Sequence, residues 1–222
     1  MSTTKSASAR KAKSRSDIRQ AYIDYVLSQG SKPVSVFKFC KDLGIPEADF
    51  YKVAGSFEAL EGIIWNDFIA VTVNRLNQDE EFGRFTTREK LLAFYFTLFE
   101  ELKQNRSFIL YSAKPRFRPE IMPAFLKPFR KTFLQFVNET ISKGRQSGEV
   151  ASRPYLEKTY PQLFWMHMCF LLFFWMNDGS ANFEQTDAAI EKSVNLAFDL
   201  IGKGAVDSAL DFAKFLYQSG MN

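Results

Sequence analysis

The chemistry open to this 222-residue chain is bounded by its rarest reactive side chains, one histidine and two cysteines. His167 stands between Met166 and Met168. A general base or a metal ligand needs a carboxylate or another nitrogen within reach, and none lies at helical spacing from it. A buried or pocket-lining histidine is the better reading. Cys40 and Cys169 are far apart, each inside an apolar run. They form neither a disulfide framework nor a metal spacing, which fits a reducing cytoplasm. No nucleophile elbow, phosphate-binding loop, dinucleotide loop or metal-ligand cluster occurs. The chain is therefore not read as an enzyme, and no catalytic residue, metal or cofactor is expected.

Charge is a second source of chemistry, and it is unevenly spread. Residues 1–20 hold six basic groups against Asp17 alone, and residues 84–131 hold eleven against four acids. Residues 21–65 reverse the balance, with four lysines and six acids. The Ser/Ala/Lys/Arg composition of the first 14 residues marks an arm that is disordered when alone. Lys13 and Arg15 are its candidates for entering a DNA groove, and a solvated tail is the competing reading. The segment has no apolar centre and is not a secretory signal. The stretch from Lys114 to Arg118, with Arg106, Lys127, Arg130 and Lys131, is a solvated face by default, or the rim of a site for an anion or a membrane surface.

The elements that must position these groups read as helices throughout. Ile18, Ala21, Tyr22, Tyr25 and Val26 share one helical face, and Gly30 ends that helix. Val36, Phe39, Cys40 and Leu43 repeat the spacing up to Gly44, where a glycine can turn left-handed at little cost. Pro46 then opens a short helix from Glu47 to about Val53. A long helix follows from Phe57 to about Gln78, with Leu60, Ile64, Phe68 and Val71 as its inner face. The body continues with Thr87–Lys103, apolar almost all round and so central, and Asn105–Ala113. Ile121–Lys143 is expected to kink at Pro128 and to carry Phe125, Phe129, Phe133, Phe136 and Val137 on one side. An aromatic helix Tyr155–Met176, a helix Asp187–Ile201 with Ile190, Val194, Ala197, Phe198 and Ile201 inward, and a closing helix Val206–Tyr217 complete it. The most apolar run, Leu163 to Met176, is too short for a membrane span. No strand pattern or internal repeat is present, so the fold class is all-α.

Two short helices joined by a Gly-containing turn behind a basic arm have the form of a helix-turn-helix. Residues 34–60 add detail: the Leu43-Gly44-Ile45 turn, the Phe50-Tyr51 pair, and Gly55-Ser56 followed by Glu58-Ala59-Leu60. This segment resembles the N-terminal domain of TetR-family regulators. The resemblance implies a three-helix reader over residues 16–65, an arm over 1–15, and a helical ligand-binding and dimerisation domain over 66–222. It implies a cytoplasmic homodimer that reads a palindromic double-stranded operator. Ser35 falls where the second helix begins and Ser56 where the fourth does, both common phosphate contacts, while Asp49, Tyr51 and Lys52 fall on the recognition helix. The chain departs from the family's pattern at Pro46, Asp49, Ala54 and Phe57. The last stands where a phosphate-binding Lys is usual, and Ala54 stands where an aromatic is usual.

The chain has 24 Phe, 8 Tyr and 3 Trp, and so many rings on helices favour an apolar cavity or a broad pairing surface. The candidate ligand pocket is Phe99, Phe108, Tyr111, Phe129, Phe133 and His167, for an apolar small molecule or lipid. The candidate pairing surface is Phe170, Phe174, Val194 and Phe198. Two functions stay open: a dimeric regulator answering to an apolar ligand, or a protein of the same fold that no longer reads DNA and acts as a lipid-binding or adaptor protein.

Overall fold

The computed structural model describes residues 15–116, 123–153 and 159–202, so Lys13 and the expected helix Val206–Tyr217 lie outside the described residues. In chain order the helices are α1 Arg15–Gln29, α2 Val36–Leu43, α3 Glu47–Tyr51, α4 Phe57–Asn77, α5 Thr87–Gln104, α6 Arg106–Ser112, α7 Lys127–Ser147, α8 Tyr160–Asn177 and α9 Glu184–Ile201. Short 3-10 turns at Glu81–Arg84, Ala124–Leu126 and Ala181–Phe183 link them. No strand occurs among the described residues, and the fold is all-α.

Local chemistry explains most of the boundaries. Ser35 caps α2 by accepting the Lys38 N–H at 3.1 Å, and Gly44 ends it at φ 67°. Gly44 donates its own N–H to the Lys41 carbonyl and Ile45 to that of Cys40, so the last turn of α2 is closed. Ser56 caps α4 in the same manner through Ala59, and Thr86 with Glu89 forms a reciprocal capping box on α5. The helix expected to kink at Pro128 instead begins at Lys127. Pro128 sits in its first turn, where the missing N–H has no intrahelical partner to lose. The aromatic helix is described from Tyr160, and α9 starts three residues before the expected Asp187.

Helix α4 is the spine, packing on α5, on α7 and on the turn at 124–126. Its buried row runs Leu60, Ile64, Phe68, Thr72 and Leu76 in steps of four. Val71, expected to face inward, is half exposed. Thr72 takes the inner place because its hydroxyl donates to the Phe68 carbonyl at 2.9 Å and so loses no hydrogen bond on burial. Gly62 lets the 124–126 turn lie close on α4, since a Cβ there would stand 3.4 Å from the Phe125 carbonyl oxygen. Helix α5 packs on α4, α6, α7 and α9, as its all-round apolar sequence implied. Rings fill the interior: Phe94 stacks on Phe136 at 4.3 Å, and Trp65 meets Phe125 and Phe129 at 5.8 Å. All five residues expected on the inner side of α7 and its preceding turn are buried.

The α8–α9 corner is built on a carboxylate. Asp178 ends α8 and is buried; its Oδ1 accepts from the Ser180 N–H at 2.8 Å and hydroxyl at 2.6 Å, and its Oδ2 from the Thr186 N–H at 2.9 Å and hydroxyl at 2.6 Å. Arg106 on α6 donates to the carbonyls of Trp175 and Asp178 and lies between the rings of Trp175 and Phe183 at 4.6 and 4.4 Å. Phe183 itself has φ 65°, a left-handed conformation that costs about 1–2 kcal/mol in a non-glycine residue. The ring contacts with Arg106 and Trp175 offset that cost.

Burial pushes the Asp178 carboxyl up, but the four hydrogen bonds outweigh it and hold the group at about 2. A carboxyl depressed on folding stabilises the protein above its ordinary value, and that stability is lost as pH falls toward the folded value. Asp178→Asn places an amide N–H₂ against a donor. It should cost about 2–3 kcal/mol in urea unfolding at pH 7, with the gap to the native chain narrowing as the pH is lowered from 4 toward 2.

Candidate functional site: the helix-turn-helix and its joint to the body

Helices α1, α2 and α3 close on one set of rings. Phe57 stacks on Tyr22 at 5.4 Å and meets Phe50 at 5.4 Å and Phe39 at 5.6 Å, edge to face. Phe57 is thus a core ring of this unit rather than simply a missing lysine. Ala54, where an aromatic was expected, is small and buried. At both departures from the family pattern the side chain present is packed inward, the Phe57 ring against Tyr22, Phe39 and Phe50 and the Ala54 methyl as a buried group.

On the outer side, Tyr51 is half exposed, and Lys52 is paired with Asp49 at 2.8 Å. Asp49 is turned in toward that pair, its side chain only 14 % exposed against 74 % for Lys52. Ser35 and Ser56 each accept a backbone N–H as caps, which leaves their hydroxyl protons able to point outward at a helix N-terminus. Arg15 opens α1. Val34 and Phe37 are also exposed on this unit, two apolar side chains that the sequence reading did not single out.

The unit is joined to the body by a buried carboxylate. Glu61 on α4 is 0 % exposed. Its Oε1 accepts from the Tyr22 hydroxyl at 2.8 Å and pairs with the Lys32 ammonium at 3.0 Å. Its Oε2 accepts from both terminal nitrogens of Arg116 at 3.0 Å, two charge-assisted hydrogen bonds that share one oxygen. Arg116 donates its Nε to the Ser112 carbonyl and lies 4.4 Å over the ring of Phe125. Four donors from α1, from the loop before α2 and from the segment after α6 therefore converge on one group. Trp65 adds a second tie, donating from Nε1 to the Ser112 hydroxyl at 3.2 Å. Burial, followed by the adjacent Glu61 charge, pushes the Tyr22 phenol well above its ordinary value, so it remains a donor. The division expected between residues 65 and 66 falls inside α4, which runs on unbroken.

The six pocket candidates are dispersed. Phe99, Phe129 and Phe133 are buried among other rings of the body, Phe108 packs edge-on to Tyr22 in the joint, and Tyr111 is half-buried. His167 belongs to a chain of hydrogen bonds across three helices. Burial raises the Tyr95 phenol, which donates to His167 Nδ1 at 3.0 Å. His167 Nε2 then donates to the Ser193 hydroxyl at 2.7 Å, and Ser193 donates to the Ala189 carbonyl at 2.5 Å. Burial lowers the imidazole to about 4, so it is neutral at pH 7. The serine proton is committed to a backbone carbonyl and, among the described residues, no carboxylate bonds the ring, so these hydrogen bonds tie α5, α8 and α9 together. A cleft of about 860 Å³ opens between the end of α4, the 81–84 turn, α5 and α7, and none of the six lines it.

The four pairing candidates also divide. Val194 and Phe198 are buried inside the protomer where α9 packs on α5, so they are not free to meet a second copy. Phe170 is half exposed and Phe174 half-buried. The exposed apolar residues of α8 are Leu163, Met166, Phe170 and Phe173, at steps of three, four and three, with Leu196 and Leu200 exposed on α9. Only Phe170 of these was picked out in the sequence. The stripe is hidden there because α8 is apolar on its inner face as well.

Glu61→Gln keeps the shape of the joint and removes its charge. The expected result is a loss of about 3 kcal/mol in urea unfolding, with Leu in place of Glu61 failing to restore it while Lys32, Tyr22 and Arg116 remain.

Among the described residues no helix is long and apolar enough to cross a membrane. No curated protein matches the sequence. Residues 90–216, more than half of the chain, match the tetracyclin repressor-like, C-terminal domain. That span begins in α5 and takes in α6 to α9, the ring-filled body, while the helix-turn-helix lies outside it. The all-helical body and this match together place the chain in the tetracyclin repressor-like family.

Proposed function

We propose that the chain is a one-component transcriptional regulator that reads a palindromic DNA site as a homodimer and responds to a small, largely apolar ligand. The observation that carries this reading is a helix-turn-helix of the right form locked to a tetracyclin repressor-like body through Glu61. The reader comprises residues 16–65 with the arm before them, and the body the remainder. Tyr51 and Lys52 face outward from the recognition helix, Ser35 and Ser56 offer hydroxyls to phosphate, and Lys13 and Arg15 supply arm charge. Pairing uses the exposed stripe of α8, with Leu196 and Leu200 of α9 beside it. A two-fold pair would bring two readers to two half-sites.

A second reading, a lipid-binding or adaptor protein of the same fold that has stopped reading DNA, is favoured by one specific observation. The recognition helix neutralises its own cation, since Asp49 holds Lys52 at 2.8 Å. Asp49 thus sets how strongly the unit attracts a polyanion.

Fluorescence anisotropy with DNA from upstream of the chain's own gene, under non-specific competitor and at several salt concentrations, separates the two. The regulator binds with a steep salt dependence; Tyr51→Ala weakens it, and Lys52→Ala weakens it and flattens the salt slope by about one. Asp49→Asn releases Lys52 and should tighten binding. Binding that competitor abolishes, unchanged by these variants, supports the second reading. For assembly, Phe170→Glu with Phe173→Glu should convert a dimer into a folded monomer in sedimentation velocity; a dimer that persists places the interface elsewhere.

A further inference from the structure

The cations of the reader are largely neutralised by carboxylates of the same chain. Arg19 pairs with Asp67, Lys32 with Glu61 at 3.0 Å, Lys38 with Asp42 at 2.7 Å and Lys52 with Asp49 at 2.8 Å. Among the described side chains of the reader, Lys41 is the exception. The body shows the reverse where it meets the reader. Lys114, Lys127 and Lys131 are exposed, and neither they nor Arg130 is ion-paired among the described residues. Arg130 donates to the neutral Gln162 at 2.7 Å and lies over the ring of Trp165, so its charge is unopposed.

Three contacts gather these groups at the reader's end of the body. Lys127, Arg130 and Lys131 stand at i, i+3 and i+4 in the first turns of α7 and so share one face. Arg116, two residues beyond Lys114, lies over the ring of Phe125, two residues before Lys127. Pro128 lies against α4, where a Cβ added at Gly62 would stand 3.5 Å from its Cγ. Gly62 is six residues from the Ser56 cap, about 9 Å along the helix. That separation is close to the screening length of about 8 Å at physiological salt, so charge at this height acts on a phosphate backbone held at Ser56.

The arrangement works against the helix that carries it. A helix N-terminus bears partial positive charge and is stabilised by acids, yet the first turn of α7 has none and opens on a lysine. Like charge collected there, without a neutralising carboxylate, makes a positive field suited to a polyanion. Glu58, exposed in the first turn of α4, forms no ion pair with any of these cations. We infer that the DNA contact continues from the reader onto the body, with Lys114, Lys127 and Lys131 attracting the phosphates that flank each half-site. Their place on an operator rests on the DNA-reading half of the proposed function, but attraction to phosphate is independent of base sequence.

The test uses the full chain with two duplexes of equal length, one from upstream of its own gene and one of mixed sequence, each titrated at several salt concentrations. Lys114→Gln with Lys127→Gln and Lys131→Gln should weaken binding to both duplexes at least tenfold at low salt. It should also flatten the salt slope by about two or more, leaving the preference for one duplex over the other unchanged. Lys127→Glu alone should weaken DNA binding without lowering the melting temperature, since an acid in the first turn favours α7; a purely structural lysine would not separate the two readouts. Native affinity and slope in the triple variant overturn the inference. So does a triple variant that binds DNA normally but loses binding to phosphatidylglycerol vesicles, which makes the face a lipid contact. Binding without preference between the duplexes, unaffected by Tyr51→Ala yet weakened by the triple variant, refutes the operator reader and retains the cationic face. A chain that binds neither duplex refutes both.

Discussion

A carboxylate without water must find its hydrogen bonds inside the protein, and Glu61 finds four. Most of the architecture around the joint follows from meeting that demand. Tyr22 fixes the rotation of α1, since its hydroxyl must reach Oε1 while its ring stays stacked on Phe57. Lys32 fixes the path of the loop before α2. Arg116 fixes the segment after α6 against the turn at 124–126, through the ring of Phe125. An apolar residue at position 61 would be easier to bury, but it could not specify three directions of approach. A buried ionic cluster of this kind contributes more to geometry than to net stability.

The other polar groups in the interior follow the same rule. Asp178 collects four hydrogen bonds at the α8–α9 corner, Arg153 donates to the carbonyls of Leu200 and Gly202 at the end of α9, and the Tyr95–His167–Ser193 chain ends on a backbone oxygen. Each binds elements that are distant in sequence, and each leaves its members committed. The ring-filled core supplies bulk stability, while these polar ties decide which helix lies against which.

The helices and the turn at Gly44 were legible in the sequence because they depend on local chemistry, an apolar periodicity closed by a glycine; Ser35 and Ser56 were read there as phosphate contacts, and their capping bonds emerge only from the structure. What depends on partners from elsewhere in the chain was not. Glu61 looks like a surface acid until Arg116 and Tyr22 are brought to it. Phe57 reads as the loss of a phosphate-binding lysine until Phe39 and Phe50 show it to be a ring of the small core. Val194 and Phe198 have the periodicity of a pairing face, but α5 already covers them. The phenylalanines chosen for a pocket were chosen for apolarity, which marks the filled core; the open cleft is lined largely by polar residues that periodicity does not single out.

The Asp178 corner acts at long range. It sets the angle between α8 and α9, the two helices that carry the exposed apolar stripe. In a two-fold pair built on that stripe, the angle at the corner is doubled by symmetry and carried to the far ends of both protomers. If the proposed function holds, the spacing of the two readers in such a pair would depend in part on a carboxylate that lies far from them in the sequence. Ser180 and Thr186, which hold that carboxylate, would then act on a surface neither of them belongs to.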